Sequence, residues 1–194
     1  GLMLATMRGI AAADRYVRAG RWLRGAMPVQ KKVTGKALGI VGMGRIGQAI
    51  AMRAAAFGMS IAWTGPRAKD LPWRYEPDLA ALARHADVLI AACPGGASTQ
   101  GLISRAVLEA LGPRGVFVNI ARGSVVDEAA LVELLSTGEL GGAGLDVFVD
   151  EPNIPPPLLT MDNVVVLPHV GSATRETRQA MGDLCKANLD AWFG

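Results

Sequence analysis

Short, wholly apolar runs alternate along this chain with stretches whose apolar residues recur at helical spacing. The runs predict strands over residues 36–41, 60–63, 87–93, 116–119, 142–147 and 164–167. The helical stretches predict helices over residues 45–57, 78–85, 104–111, 128–136 and 173–193. In the first of these helices Ile46, Ala49, Ile50, Ala54 and Phe57 share a face; the last carries Met181, Leu184, Cys185 and Trp192 among its apolar positions. Ser104 and Asp127 are placed as N-caps, and Gly112-Pro113 and Gly138 as stops. Residues 2–19, with Leu4, Met7, Ile10 or Ala11, and Val17, predict a further helix ended by Gly20. Residues 21–35 are polar and basic, contain Pro28, and read as a connector. Pro66 and Pro72 break up the chain after the second strand, and residues 152–157 read as extended loop.

Strands that are apolar throughout need cover on both faces. Separated by helices, they predict an α/β fold with a doubly wound, mainly parallel sheet of Rossmann type. Right-handed crossovers then place ligands where strand carboxyl ends meet helix starts. No internal repeat is visible. The organisation expected is a helical arm and connector over residues 1–35, then one domain over residues 36–194. The chain starts Gly1-Leu2-Met3-Leu4, inside a helical pattern and without an initiator Met, so it is expected to continue a longer protein.

Composition narrows the function classes. The 194 residues are 51% hydrophobic, too apolar for a disordered chain. The net charge of +3 is spread without a Lys/Arg block, which argues against a nucleic-acid reader. Arg8 interrupts the opening apolar stretch before a membrane span or signal peptide can form. Cys93 and Cys185 are far apart in sequence and read as small buried hydrophobes rather than a disulfide or metal pair. A cytoplasmic protein with no metal, membrane or nucleic-acid partner is expected.

Between the predicted strand 36–41 and helix 45–57 stands Gly42-Met43-Gly44-Arg45-Ile46-Gly47, the pattern Gly-x-Gly-x-x-Gly. Gly42 permits a tight turn, Gly44 lets the backbone approach a pyrophosphate, and Gly47 lets helix and strand pack closely. Amides at the helix start then face the anion, with Arg45 and Ile46 beside it. Pro94, past the buried strand 87–93, joins these residues as a candidate cofactor contact. A dinucleotide site usually carries a ribose-binding carboxylate about 20 residues into the unit. Here that position is occupied by Thr64-Gly65-Pro66-Arg67, without Asp or Glu. A carboxylate would repel a 2′-phosphate; Arg67, with Lys69 nearby, supplies positive charge instead. NADP(H) is therefore favoured over NAD(H).

Three later segments place polar groups after predicted strands: Arg122, Asp146 with Glu151, and His169. An Arg, a Glu and a His converging on one sheet edge suit reduction of a 2-oxo acid. The Arg holds the carboxylate and polarises the carbonyl. The His donates a proton to the oxygen as hydride reaches the carbon. The Glu orients the imidazole and favours its protonated form. Ser172 is a weaker candidate, as a substrate contact or a helix N-cap. His85, at a helix end, reads as a dipole partner rather than a catalyst. The four tryptophans read as packing or interface residues.

These segments, in this order, resemble the nucleotide-binding domain of the D-isomer-specific 2-hydroxyacid dehydrogenases. The likeness runs from Thr34-Gly35-Lys36 through the glycine loop and Phe57-Gly58-Met59. It continues in Asn119-Ile120-Ala121-Arg122-Gly123, Asp127-Glu128-Ala129-Ala130-Leu131, Gly144-Leu145-Asp146-Val147-Phe148 with Glu151-Pro152, and Pro168-His169-Val170-Gly171-Ser172-Ala173-Thr174. The resemblance implies hydride transfer between NAD(P)H and a 2-oxo acid. Arg122 would bind substrate, His169 would be the acid/base, Glu151 its partner, and Asp146 a holder of the nicotinamide carboxamide. It also implies a homodimer paired through the nucleotide domains and the arm, and a separate substrate domain that this chain lacks. Without that lobe, dinucleotide binding with little turnover is expected. Within the family, residues 168–181 are similar to glyoxylate/hydroxypyruvate reductases. A rival expectation is a dinucleotide-sensing interaction module of corepressor type, which binds cofactor with negligible turnover; the intact Arg122, Glu151 and His169 favour the enzyme.

Overall fold

In the computed structural model, which describes residues 1–193, each apolar run becomes a strand of one sheet. β1 (Ala37–Val41) lies between β2 (Ser60–Thr64) and β4 (Val88–Ala91); β3 (Arg74–Tyr75) flanks β2 at the edge. Beyond β4 follow β5 (Val116–Asn119), β6 (Gly142–Leu145) and β7 (Val164–Val166). The order is β3-β2-β1-β4-β5-β6-β7 and every pairing is parallel. The order reverses at β1, between β2 and β4, which is the switch point where an open α/β sheet forms its ligand crevice. The strands β4, β5 and β6 are buried along their whole length, as runs without polar alternation require.

Helices cover both faces. On one, α4 (Leu79–His85), α5 (Arg105–Leu111) and α6 (Glu128–Thr137) bury Leu82, Leu108, Leu131 and Leu134 against the sheet. On the other, α3 (Arg45–Ala56) packs on β1 and β2, and α1 (Leu2–Met7) packs on β5 to β7. Each large side chain buried in this way contributes about 1.5–3 kcal/mol. Asp127 caps α6, its side chain accepting from the Ala130 amide at 3.0 Å. Ser104 occupies the N-cap position of α5 without a side-chain cap bond. β3 is an element the periodicity did not predict, and the proline-rich loop contains a 3-10 turn at Pro156–Leu159.

Packing changes several faces read from the sequence. The predicted helix over residues 2–19 is two helices, α1 and α2 (Ile10–Arg18), because Gly9 between them is left-handed at φ 58°. Met3, Met7 and Ala12 are the buried residues of this pair, while Ile10 and Val17 are exposed. In α3 the small residues Gly47, Ala51 and Ala54 face the sheet, and Ile46 and Phe57 are exposed. At its start the reason is distance: α3 begins directly on the glycine loop, where a Cβ on Gly47 would collide with the Gly42 carbonyl; further along, Ile50 packs half-buried against the core. The closing helix α7 (Arg175–Phe193) buries no residue. Cys185, on α7, is therefore exposed rather than buried, and Cys93 is half-buried. The cap of α7 is Thr174, whose hydroxyl accepts from the Thr177 amide at 3.1 Å, and not Ser172. No helix among the described residues is long and apolar enough to cross a membrane.

Candidate active site

The carboxyl ends of β1, β4, β5 and β6 open into a cleft of about 1220 Å³. Gly42 and Gly44 form one side of it, with Arg45 and Ile46 of α3. Gly42 turns the chain at φ 98°, and its amide donates to the Thr64 carbonyl at 2.9 Å. A Cβ on Gly42 would stand 2.7 Å from the backbone of Cys93, and one on Gly47 would collide with the Gly42 carbonyl. Both glycines are thus demanded by close approach. Gly44 caps α3 in extended conformation without a side-chain cap bond, so the amides of its first turn remain for a ligand.

Opposite this loop stand Pro94, Gly95 and Gly96 after β4, and Arg122 after β5. Arg122 is set by Asn119, which is wholly buried at the end of β5. The Asn119 Oδ1 accepts from the Ala121 amide at 3.0 Å, and its Nδ2 donates to the Arg122 carbonyl at 3.0 Å. The Arg122 stem runs along Gly95, where an added Cβ would lie 2.5 Å from its Cγ. Its Nη1 donates to the Ala121 carbonyl at 2.6 Å.

Glu151 and His169 meet at the far side of the same cleft. The His169 Nδ1 lies 2.8 Å from the Glu151 Oε2, and Glu151 Oε1 accepts from the Phe148 amide at 3.0 Å. The bond to the His169 imidazole holds the Glu151 carboxyl below its ordinary range; burial opposes this, and the Phe148 amide and the Arg122 charge reinforce it. With Nδ1 on Glu151, the imidazole Nε2 is the nitrogen left for a further partner. Asp146, 4% exposed and set back from the cleft wall, accepts from the Val170 amide at 2.8 Å and the Gly171 amide at 2.9 Å.

Arg67 and Ser172 are exposed and stand outside the cleft wall, and Gly47 is buried behind the loop. Near Arg67, Lys69 reaches back so that its Nζ donates to the Met43 carbonyl of the glycine loop at 2.8 Å. The connection that carries both is held at its ends, by Tyr75 Oη donating to the Gly65 carbonyl at 3.0 Å and Trp63 Nε1 to the Trp73 carbonyl at 3.2 Å. His85 ends α4 away from this cleft, its Nδ1 2.8 Å from the Ala81 carbonyl. Sequence reasoning missed Gly95, Gly96 and the bracing role of Asn119. The signal for the last was an amide side chain closing a fully apolar run.

Residues 1–171 match the family model described as D-isomer specific 2-hydroxyacid dehydrogenase, NAD binding domain. The chain belongs to this family. Two of its relatives are a glyoxylate/hydroxypyruvate reductase A of Arabidopsis thaliana and a 2-ketogluconate reductase of Gluconobacter oxydans. The first is 48% identical over 194 residues, all of this chain and 62% of that protein. The second is 49% identical over 193 residues, 99% of this chain and 62% of that protein. Among solved structures, an NADPH-dependent glyoxylate/hydroxypyruvate reductase of Sinorhizobium meliloti, in complex with NADP and malonate, superposes with a TM-score of 0.96. It is 49% identical and covers 100% of this chain and 62% of its own. The chain thus spans about 62% of the length of these 2-hydroxyacid dehydrogenase relatives.

Proposed function

We propose that this chain is the dinucleotide-binding part of an oxidoreductase that reduces a 2-oxo acid, glyoxylate or hydroxypyruvate, to the 2-hydroxy acid with NADP(H). The observation that carries the reading is the His169–Glu151 pair at 2.8 Å, in one cleft with Arg122 and the glycine loop. Relatives named as glyoxylate/hydroxypyruvate reductases support the substrate class.

The cleft fits a dinucleotide, because the close approaches at Gly42 and Gly47 and the uncapped start of α3 make a cradle for a pyrophosphate. Gly42, Gly44, Arg45, Ile46 and Gly47 would hold it, with Pro94 on the opposite wall. When bound, the nicotinamide supplies the hydride that reaches the carbonyl carbon. Arg122 binds the substrate carboxylate and polarises the carbonyl. The His169 Nε2 gives its proton to the carbonyl oxygen, and Glu151 keeps Nδ1 protonated and the ring oriented. Gly65 at the end of β2, where a ribose carboxylate would stand, together with Arg67 and Lys69, supports NADP(H) over NAD(H). A homodimer is proposed through the arm, where Trp22, Leu23 and Val29 are exposed.

Oxidation of NADPH by the full-length protein against a panel of 2-oxo acids tests the reading. Turnover should be lost in His169→Ala while NADPH binding is kept; full activity of that variant overturns the assignment. This chain alone should bind NADPH but turn over little. NADPH-dependent change of assembly with no turnover by the full-length protein would favour a sensor instead.

A further inference from the structure

The segment after β5 grips the loop after β6 at two points. From Arg122 the chain runs through the 3-10 turn Gly123–Val125 directly into α6. The Val125 amide donates to the Arg122 carbonyl at 3.2 Å, and the Val126 amide to the Gly123 carbonyl at 3.2 Å. The first point of contact is Gly123, where an added Cβ would collide with the peptide group between Phe148 and Val149. The second is Glu128, in the first turn of α6, whose Oε1 accepts from the Val149 amide at 3.0 Å. The same peptide is therefore pressed by Gly123 and held at its N–H by Glu128. The helix does not need Glu128 as a cap, because Asp127 fills that place through the Ala130 amide.

Glu151 stands on the loop held in this way, and its Oε1 accepts from the Phe148 amide. Its partner has little freedom to follow it. His169 sits at φ 54°, the only non-glycine residue with positive φ among the described residues, and Asp146 accepts from the next two amides at 2.8 and 2.9 Å. The 2.8 Å contact between His169 and Glu151 therefore depends on where the loop sets Glu151. The geometry points to Glu128 as a positioning residue for Glu151: it holds the Phe148–Val149 peptide against Gly123, and so fixes Glu151 relative to Arg122 and His169. Glu128 is not in the cleft wall and acts through Val149, which is. The inference rests on the reading of Glu151 as partner of the proton donor.

Three substitutions separate this bond from the ordinary benefit of a negative charge at a helix start. Glu128→Gln removes the charge and keeps the acceptor, Glu128→Asp keeps the charge on a shorter arm, and Glu128→Ala removes both. In this chain, hydrogen exchange of the Val149 amide should rise about tenfold in Glu128→Ala and Glu128→Asp, and stay within about twofold of wild type in Glu128→Gln. The Glu151 carboxyl, followed by ¹³C NMR titration, should move up towards its ordinary range in the first two variants and stay in place in the third. An unmoved midpoint in both Glu128→Ala and Glu128→Asp overturns the proposal. In the full-length protein, kcat should fall about tenfold in Glu128→Ala and Glu128→Asp, with the KM for NADPH unchanged, and be kept in Glu128→Gln. A fall that follows the charge instead, with Glu128→Gln as slow as Glu128→Ala and Glu128→Asp as fast as wild type, also overturns it. Should Glu128→Ala fail to fold, the Asp and Gln variants carry the same comparison. Exchange and midpoint need no turnover, so failure here stands apart from failure of the underlying reading, which would show as full activity in His169→Ala.

Discussion

The two ends of the sheet's carboxyl edge are built differently. At the end that holds Arg122, Glu151 and His169, each functional group is backed by a buried polar partner or a backbone amide. Asn119 fixes the Arg122 turn, the Phe148 amide fixes Glu151, and two amides tie the His169 turn to Asp146. At the end of β2, Arg67 is exposed and Lys69 is held by a single bond to the Met43 carbonyl. The contrast matches the work proposed for each end. Proton and carboxylate chemistry needs geometry held to a fraction of an ångström, and only interior braces supply that. Attraction of a phosphate is long-ranged and tolerates a mobile cation.

Substitutions at the braced end should cost most. Glu151→Gln in the full-length protein should lower turnover by about a hundredfold, because the amide no longer holds the His169 imidazole as an anion does. The same pair has a pH signature. The folded carboxyl of Glu151 titrates below its ordinary value of 4.5. Its contribution to stability is therefore complete above that value and is lost as pH falls through the folded one. Urea unfolding between neutral and acid pH should show a smaller acid loss for Glu151→Gln than for the wild type; equal slopes would remove the His169–Glu151 pair as an energetic unit. Its place at the cleft makes the effect modest.

Asn119→Ala should destabilise the chain by about 2–4 kcal/mol in urea, since it leaves a buried amide and a carbonyl without their partners. Lys69→Met should weaken NADPH binding about tenfold and leave NADH binding nearly unchanged. Equal losses for both nucleotides would mean that Lys69 only staples the glycine loop. Arg67→Ala should have the smallest effect, about twofold to threefold on NADPH, vanishing at high salt. A larger loss at Arg67 than at Lys69 would reverse the assignment at this end.

Much of the fold was legible because strands buried on both faces leave little ambiguity. Val116-Phe117-Val118-Asn119 has no polar alternation and became β5, an interior strand buried along its whole length. Caps with one local partner were legible too, as Asp127 shows. Amphipathic faces were less so. Residues 128–137 and 175–193 both carry apolar residues at helical spacing, yet α6 buries Leu131, Leu134 and Leu135 while α7 buries nothing. A pattern states that a face seeks cover; it carries no information on where the cover lies. The shifted face of α3, which keeps Ala54 and half-buries Ile50 but exposes Ile46 and Phe57, has the same origin, since how closely a helix approaches a sheet is a property of both partners.

The candidate site divides along the same line. That the glycine loop, Arg122, Glu151 and His169 share one edge of the sheet was readable from the sequence, because each follows an apolar strand directly and the turn after a strand is a local property. The left-handed backbone at His169, the two amides on Asp146, the bracing amide of Asn119 and the return of Lys69 to the glycine loop were decided only in the tertiary structure. Each joins residues from different strand ends, and such a bond exists only once the sheet has set those ends side by side.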